Sequence, residues 1–129
     1  MSAEIIKHDP AAEFYTAEGC FITELLNRSG NETLSFAKAR VRPGITTALH
    51  RLANVTEYYI VLEGQGRVNV GDLPEAIVMP GDVVHIPADT SQQITNIGQD
   101  DLAFICVCTP RFTPECYREL PNEEEPLRQ

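Results

Sequence analysis

The chain has 129 residues, 43% hydrophobic and 22% charged, a composition that suits one globular domain with its own core. Nineteen acidic residues against ten basic ones leave a net charge of −9, which argues against nucleic acid or an anionic membrane surface as partner. No apolar run approaches a membrane span and the N-terminus lacks the pattern of a signal peptide, so a cytoplasmic location is expected, with Cys20, Cys106, Cys108 and Cys116 reduced.

Residues 1–13 have no clear period and contain the turn signal Asp9-Pro10, so they read as an N-terminal arm. Phe14-Tyr15-Thr16 and Cys20 to Leu26 read as short strands separated by Gly19, and Asn27 to Asn31 is turn chemistry. From Thr33 to Arg42 the chain alternates. Leu34, Phe36, Lys38, Arg40 and Arg42 share one face, and the small residues Ser35, Ala37 and Ala39 share the other with Val41.

The stretch Pro43 to Gly64 is the centre of the chain. It places His50 at the end of one strand and Glu57 at the start of a second, Tyr58-Tyr59-Ile60-Val61-Leu62. The link Ala53-Asn54-Val55-Thr56 is short enough for a hairpin-like connection between adjacent antiparallel strands, which would put His50 and Glu57 on one face. An imidazole and a carboxylate so placed bind a metal or handle a proton.

Beyond Gly64, short strands alternate with Gly and Pro turns: Arg67 to Val70, Ala76 to Met79, Val83 to Ile86, Gln92 to Ile97 and Leu102 to Thr109. About ten strands with no sustained helical period before Pro110 imply an all-β sandwich or small barrel. Thr113-Pro114 predicts one short helical turn with the Thr113 hydroxyl as its cap. The segment from residue 121 to 129, with Glu123-Glu124-Glu125, reads as a flexible acidic tail. Leu34, Phe36, Ile60, Leu62, Val68, Val70, Ile86, Ile94 and Phe104 are the predicted core or cavity wall.

These residues carry a resemblance. Gly44-x5-His50-x-Leu52-x4-Glu57-x6-Gly64 resembles the first motif of the cupin superfamily, and Pro80-Gly81-Asp82 through Gln92 to Asn96 resembles the second. The likeness covers residues 34–109, within one domain of residues 1–129. It implies a double-stranded β-helix, the cupin jelly roll, with a cavity in its mouth and a homodimeric assembly. It implies no single activity, because one fold hosts many.

Family metal sites typically use three histidines and one glutamate. Here His50 and Glu57 hold two of those positions, Leu52 replaces the second histidine and Gln92 the third. The resemblance therefore implies either a weakly held divalent ion (Zn, Mn or Fe) on His50, Glu57 and Gln92 or no metal. Leu52 would fill the place of an absent ligand. Cys106 and Cys108 share one strand face, either as small buried groups or with one as a cavity nucleophile. Arg40 is either a binder of a ligand's carboxylate or phosphate or a solvated edge residue. His85 and His8 read as packing or surface residues.

Two functions follow from different classes. One is an isomerase, epimerase or dehydratase acting on a small molecule, with His50 as acid/base, Glu57 orienting it, and Gln92 and Tyr59 binding the substrate. The other is a non-catalytic ligand-binding or sensing module. In the dimer, the arm or an early strand would pair with the partner's sheet.

Overall fold

A computed structural model describes residues 2–121 of the chain; the tail beyond Pro121 lies outside the described residues. The short-strand rhythm becomes eleven strands: β1 (Phe14–Tyr15), β2 (Phe21–Leu26), β3 (Ser35–Val41), β4 (His50–Leu52), β5 (Thr56–Glu63), β6 (Gly66–Val70), β7 (Ala76–Val78), β8 (Val83–Ile86), β9 (Gln92–Asn96), β10 (Leu102–Thr109) and β11 (Tyr117–Glu119). They form two antiparallel sheets, ordered β1-β2-β3-β10-β5-β8 and β11-β4-β9-β6-β7. This is an all-β double-stranded β-helix: the turn signals predict a sandwich or small barrel, and the resemblance to cupins implies this jelly roll.

The core lies where the inward residues of the two sheets meet. Val41, Val61, Ile86 and Leu102 from the first sheet pack with Val68 and Ile94 from the second. Each such side chain contributes about 1.5–3 kcal/mol on full burial. Val68, Val70, Ile86, Ile94 and Phe104 are buried as expected. Ile60 and Leu62 are not, being 38% and 43% exposed. Strand alternation explains the correction: Glu57, Tyr59 and Val61 point inward, so Tyr58, Ile60 and Leu62 point out.

The hairpin-like reading of residues 50–57 also changes. β4 belongs to the five-stranded sheet and β5 to the six-stranded one, so Ala53 to Val55 crosses between layers. His50 and Glu57 share an interior because they face each other across the sandwich. They are not neighbours on one sheet.

Two polar anchors hold this geometry. Asn96 is 1% exposed; its Nδ2 donates to the Val41 and Asp100 carbonyls, each at 2.8 Å, and its Oδ1 accepts from the Gly98 amide at 2.8 Å. Those bonds tie the β9–β10 turn to β3 and leave no group of the buried amide idle. Thr47 accepts at Oγ1 from the Ile94 amide at 3.1 Å, and its own amide donates to the Ile94 carbonyl at 2.9 Å. The approach to β4 is thereby fixed against β9, so that His50 pairs with Gln92.

The early segments are used within the chain. β1 pairs with β2 and β2 with β3, extending the chain's own sheet. The arm contains a 3-10 turn, Pro10–Ala12, capped by the Asp9 side chain. Pro114–Cys116 is likewise a 3-10 turn, but the Thr113 hydroxyl makes no capping bond there. β11, absent from the sequence reading, follows that turn and covers the edge at β4, pairing Tyr117 with Leu52.

Gly64 has φ +86° where the chain leaves β5 for the other sheet, and a Cβ there would stand 2.7 Å from the Asp101 carbonyl oxygen and 2.9 Å from Leu102 Cα. Both obstacles are backbone. Gly64→Ala is expected to destabilise the fold by about 2–4 kcal/mol, read as a lower urea midpoint at unchanged m-value.

Candidate functional site

A cavity of about 150 Å³ opens between the sheets at the end where β4, β5 and β10 meet the β1–β2 turn. His50, Leu52, Glu57, Tyr59, Cys106 and Cys108 all line it, so strand alternation brings together most of the residues singled out in the sequence. Gln92 lies behind this wall, 1% exposed, where its Oε1 accepts a hydrogen bond from the Tyr59 hydroxyl.

Arg40 is elsewhere. Its guanidinium makes two hydrogen bonds to Glu13, at 2.7 and 2.9 Å, and one to Asp101 at 2.9 Å. It also stacks 4.1 Å over the Phe21 ring, where Arg42 lies at 4.8 Å. Arg40 therefore fastens the arm and the β9–β10 turn to the sheet, outside the cavity lining, which corrects its reading as a ligand-binding residue. His85 is on the outer face, stacked on Tyr58 at 5.0 Å.

His50 is 3% exposed and fixed on three sides. Its Nδ1 donates to the Ala48 carbonyl at 2.8 Å; a carbonyl can only accept, so Nδ1 carries a hydrogen. The Tyr117 ring stacks on it with centroids 4.9 Å apart. Nε2 faces Glu18, 3.8 Å from Oε2, beyond hydrogen-bond reach. The Ala48 amide in turn donates to the Glu18 carbonyl at 2.8 Å, so one residue holds both partners in place.

Glu18 and Tyr117 are the site residues that sequence reasoning missed. Glu18 sits in the turn Thr16-Ala17-Glu18-Gly19, where no periodicity signals direction, and Tyr117 lies on a three-residue strand. The usable clue was Gly19 at φ +100°, a tight reversal that turns the preceding glutamate over the cavity.

Glu57 is 8% exposed, and its Oε1 has no hydrogen-bond partner among the described residues. Burial raises its pKa from 4.5 to about 7; the Gln92 amide and the His50 ring pull it down, and the Glu18 charge pushes it further up. Gln92 Nε2 also stays without a partner, so the two side chains adjoin without closing a regular hydrogen bond. Burial likewise raises Glu18, with His50 opposing. The thiols of Cys106 and Cys108 are pushed up by burial and then by the Glu57 charge, so neither is an activated nucleophile. Tyr59 is raised for the same two reasons and stays a neutral donor.

The donor set as arranged does not fit a metal ion. Gln92 spends its oxygen on Tyr59, leaving an amide nitrogen that cannot ligate, and Leu52 offers nothing. His50 Nε2 is aimed at Glu18, and the described residues contain no cluster of three His, Cys, Asp or Glu side chains placed to hold an ion.

A double-stranded β-helix whose cavity is walled by a histidine and a glutamate from opposite sheets has the build of a cupin. Residues 37–108 match the family model described as "Cupin domain", and the chain belongs to that family. It is 33% identical over 119 residues to an uncharacterized protein of Methanocaldococcus jannaschii, covering 89% of this chain and 94% of that one. It is also 33% identical over 79 residues to the oxalate-binding protein of Thermotoga maritima, covering 60% of this chain and 63% of that protein. Among solved structures, KdgF from Halomonas sp. superposes with a TM-score of 0.74 at 16% identity, over 84% of this chain and 96% of that one. A variant of Streptomyces PAC13, solved with uridine, gives 0.73 at 13% identity over 92% of each. None of the described helices is long and apolar enough to cross a membrane.

The raised pKa of Glu57 has a consequence for stability. The folded state holds a proton that the unfolded state has lost between pH 4.5 and about 7, so stability falls as pH rises through that window. Glu57→Gln is expected to remove this slope. Urea unfolding at pH 5 and pH 8 should show the wild type losing about 2–3 kcal/mol more than the variant.

Proposed function

We propose that the cavity binds a small organic molecule and that Glu57 and His50 exchange protons with it. The supporting observation is a buried carboxyl in the cavity wall, without a hydrogen-bond partner at Oε1 and with a pKa of about 7, in the same chamber as the bare Nε2 of His50. An acid/base group works best when its pKa lies near the operating pH, because both protonation states are then available. Glu57 therefore takes the acid/base role, with His50 as the second group, held in one tautomer by Ala48. This reverses the assignment expected from sequence, where His50 carried the chemistry.

The reaction that this equipment serves is isomerisation, epimerisation or dehydration next to a carbonyl. Glu57 in its carboxylate form removes a proton from one carbon and returns it to the next, or to a departing hydroxyl, while the bare Nε2 of His50 takes the proton of the substrate's hydroxyl and delivers it to the neighbouring carbonyl oxygen. Epimerisation uses Nε2 as the base on one face of the carbon and the protonated Glu57 carboxyl as the acid on the other. Gln92 holds the Tyr59 hydroxyl in a fixed direction at the wall. General acid–base catalysis of this kind contributes roughly 10²–10⁴ in rate per group.

The test is solvent exchange. The protein is incubated in deuterated water with a panel of neutral, anionic and ammonium-bearing carbonyl compounds, and deuterium on carbon is read by mass spectrometry. Catalysed exchange by the wild type is expected for at least one compound, falling about 100-fold or more in Glu57→Gln. Exchange that survives the substitution, or none across the panel, would leave a binding module without proton chemistry.

A further inference from the structure

The charge inventory of the cavity restricts what enters it. Glu18, Glu24 and Glu57 line the cavity, and among the described residues no lysine or arginine does. The nearby guanidinium of Arg111 is engaged: Nη1 donates to Asn27 Oδ1 at 2.9 Å and Nε pairs with Glu32 at 3.1 Å. Arg40 is held by Glu13 and Asp101. His50, the remaining basic group, faces Glu18. A carboxylate or phosphate ligand would therefore be buried beside like charge with no cation to meet it.

The rest of the wall favours the opposite sign. Phe36, Phe104, Phe112 and Tyr117 present aromatic surface to the same chamber, and aromatic faces attract cations. Glu57 lines the same chamber as a carboxyl that is 8% exposed and makes no hydrogen bond at its shielded Oε1 within the described chain. Attraction between an ammonium and such a carboxylate is strong where water is largely excluded.

We infer that the ligand of this cavity is a small organic cation, an amine with an apolar or aromatic body, its ammonium against Glu57 and Glu18 and its body among the aromatic rings. This rests on the reading that the cavity is the binding site, and it narrows the substrate of the proposed proton transfer to an amine-bearing carbonyl compound. It also separates this chain from the oxalate-binding relative, since oxalate is a dianion.

A matched charge series tests it. A cavity of about 150 Å³ is known to admit a benzene ring, so benzylamine, benzyl alcohol and benzoate, with oxalate added, are titrated calorimetrically into the full chain at pH 7.5. Benzylamine should bind roughly tenfold or more tighter than benzyl alcohol, with benzoate and oxalate giving no heat of binding. Glu57→Gln, and separately Glu18→Gln, should each shrink the ratio of benzylamine to benzyl alcohol affinity about three- to tenfold, so that failure of one variant to fold still leaves the other. The inference falls if benzoate or oxalate binds as tightly as benzylamine, if amine and alcohol bind alike, or if no probe binds. Loss of deuterium exchange with the charge order intact would remove the catalysis and keep the cation site. A reversed charge order with exchange intact would remove only the substrate class.

Discussion

The structure depends on the enclosure of one carboxyl. Glu57 sits at the first inward position of β5, between two sheets, where its Oε1 has no hydrogen-bond donor among the described residues. Burying a charged group without a partner is expensive, and the group responds by holding its proton up to about pH 7. The surrounding residues moderate that response. The Gln92 amide, itself held by Tyr59, and the His50 ring favour the charged form, while Glu18 opposes it. Remove the enclosure and Glu57 becomes an ordinary surface glutamate. The cavity's chemistry follows from where the sheets place this one side chain.

Much of the architecture was legible in the sequence because it rests on local chemistry. Gly64, Gly71 and Gly81 all adopt positive φ at turns between strands, and the Gly and Pro signals marked those turns. His50 and Glu57 were findable because seven residues separate them across one short link, and Asn96 because the stretch around it resembles the second cupin motif. The misses share a physical cause. Apolar content on both faces of β5 hid its phase, so Ile60 and Leu62 read as core. Yet an inward Glu57 already requires Tyr59 and Val61 inward and Ile60 and Leu62 outward. Placing the histidine and glutamate on one hairpin failed because a short link can cross between sheets as easily as it can reverse within one.

Glu18 and Tyr117 were illegible for another reason. Each reaches the site from a segment whose position is set by distant backbone bonds, Ala48 to the Glu18 carbonyl in one case and the β4–β11 ladder in the other. Arg40 shows the converse. A basic residue beside a binding motif suggests an anion, but its partners, Glu13 and Asp101, lie 27 residues before and 61 residues after it in the chain. Whether an arginine is free to bind a ligand is a tertiary fact.

The crossing of the chain between β4 and β5 has a consequence in time. His50 and Glu57 are close in sequence but belong to different sheets, so the site does not exist until the two layers have docked. Before docking, the Glu57 carboxyl is hydrated and ionised at neutral pH, with the ordinary affinity of a glutamate for its proton. Closing the sandwich over it at pH 7 draws a proton from solvent into part of the population, because the folded group is half-protonated there. Folding of this chain is therefore also a protonation reaction. The Glu57 carboxyl is loaded by the same step that builds its chamber.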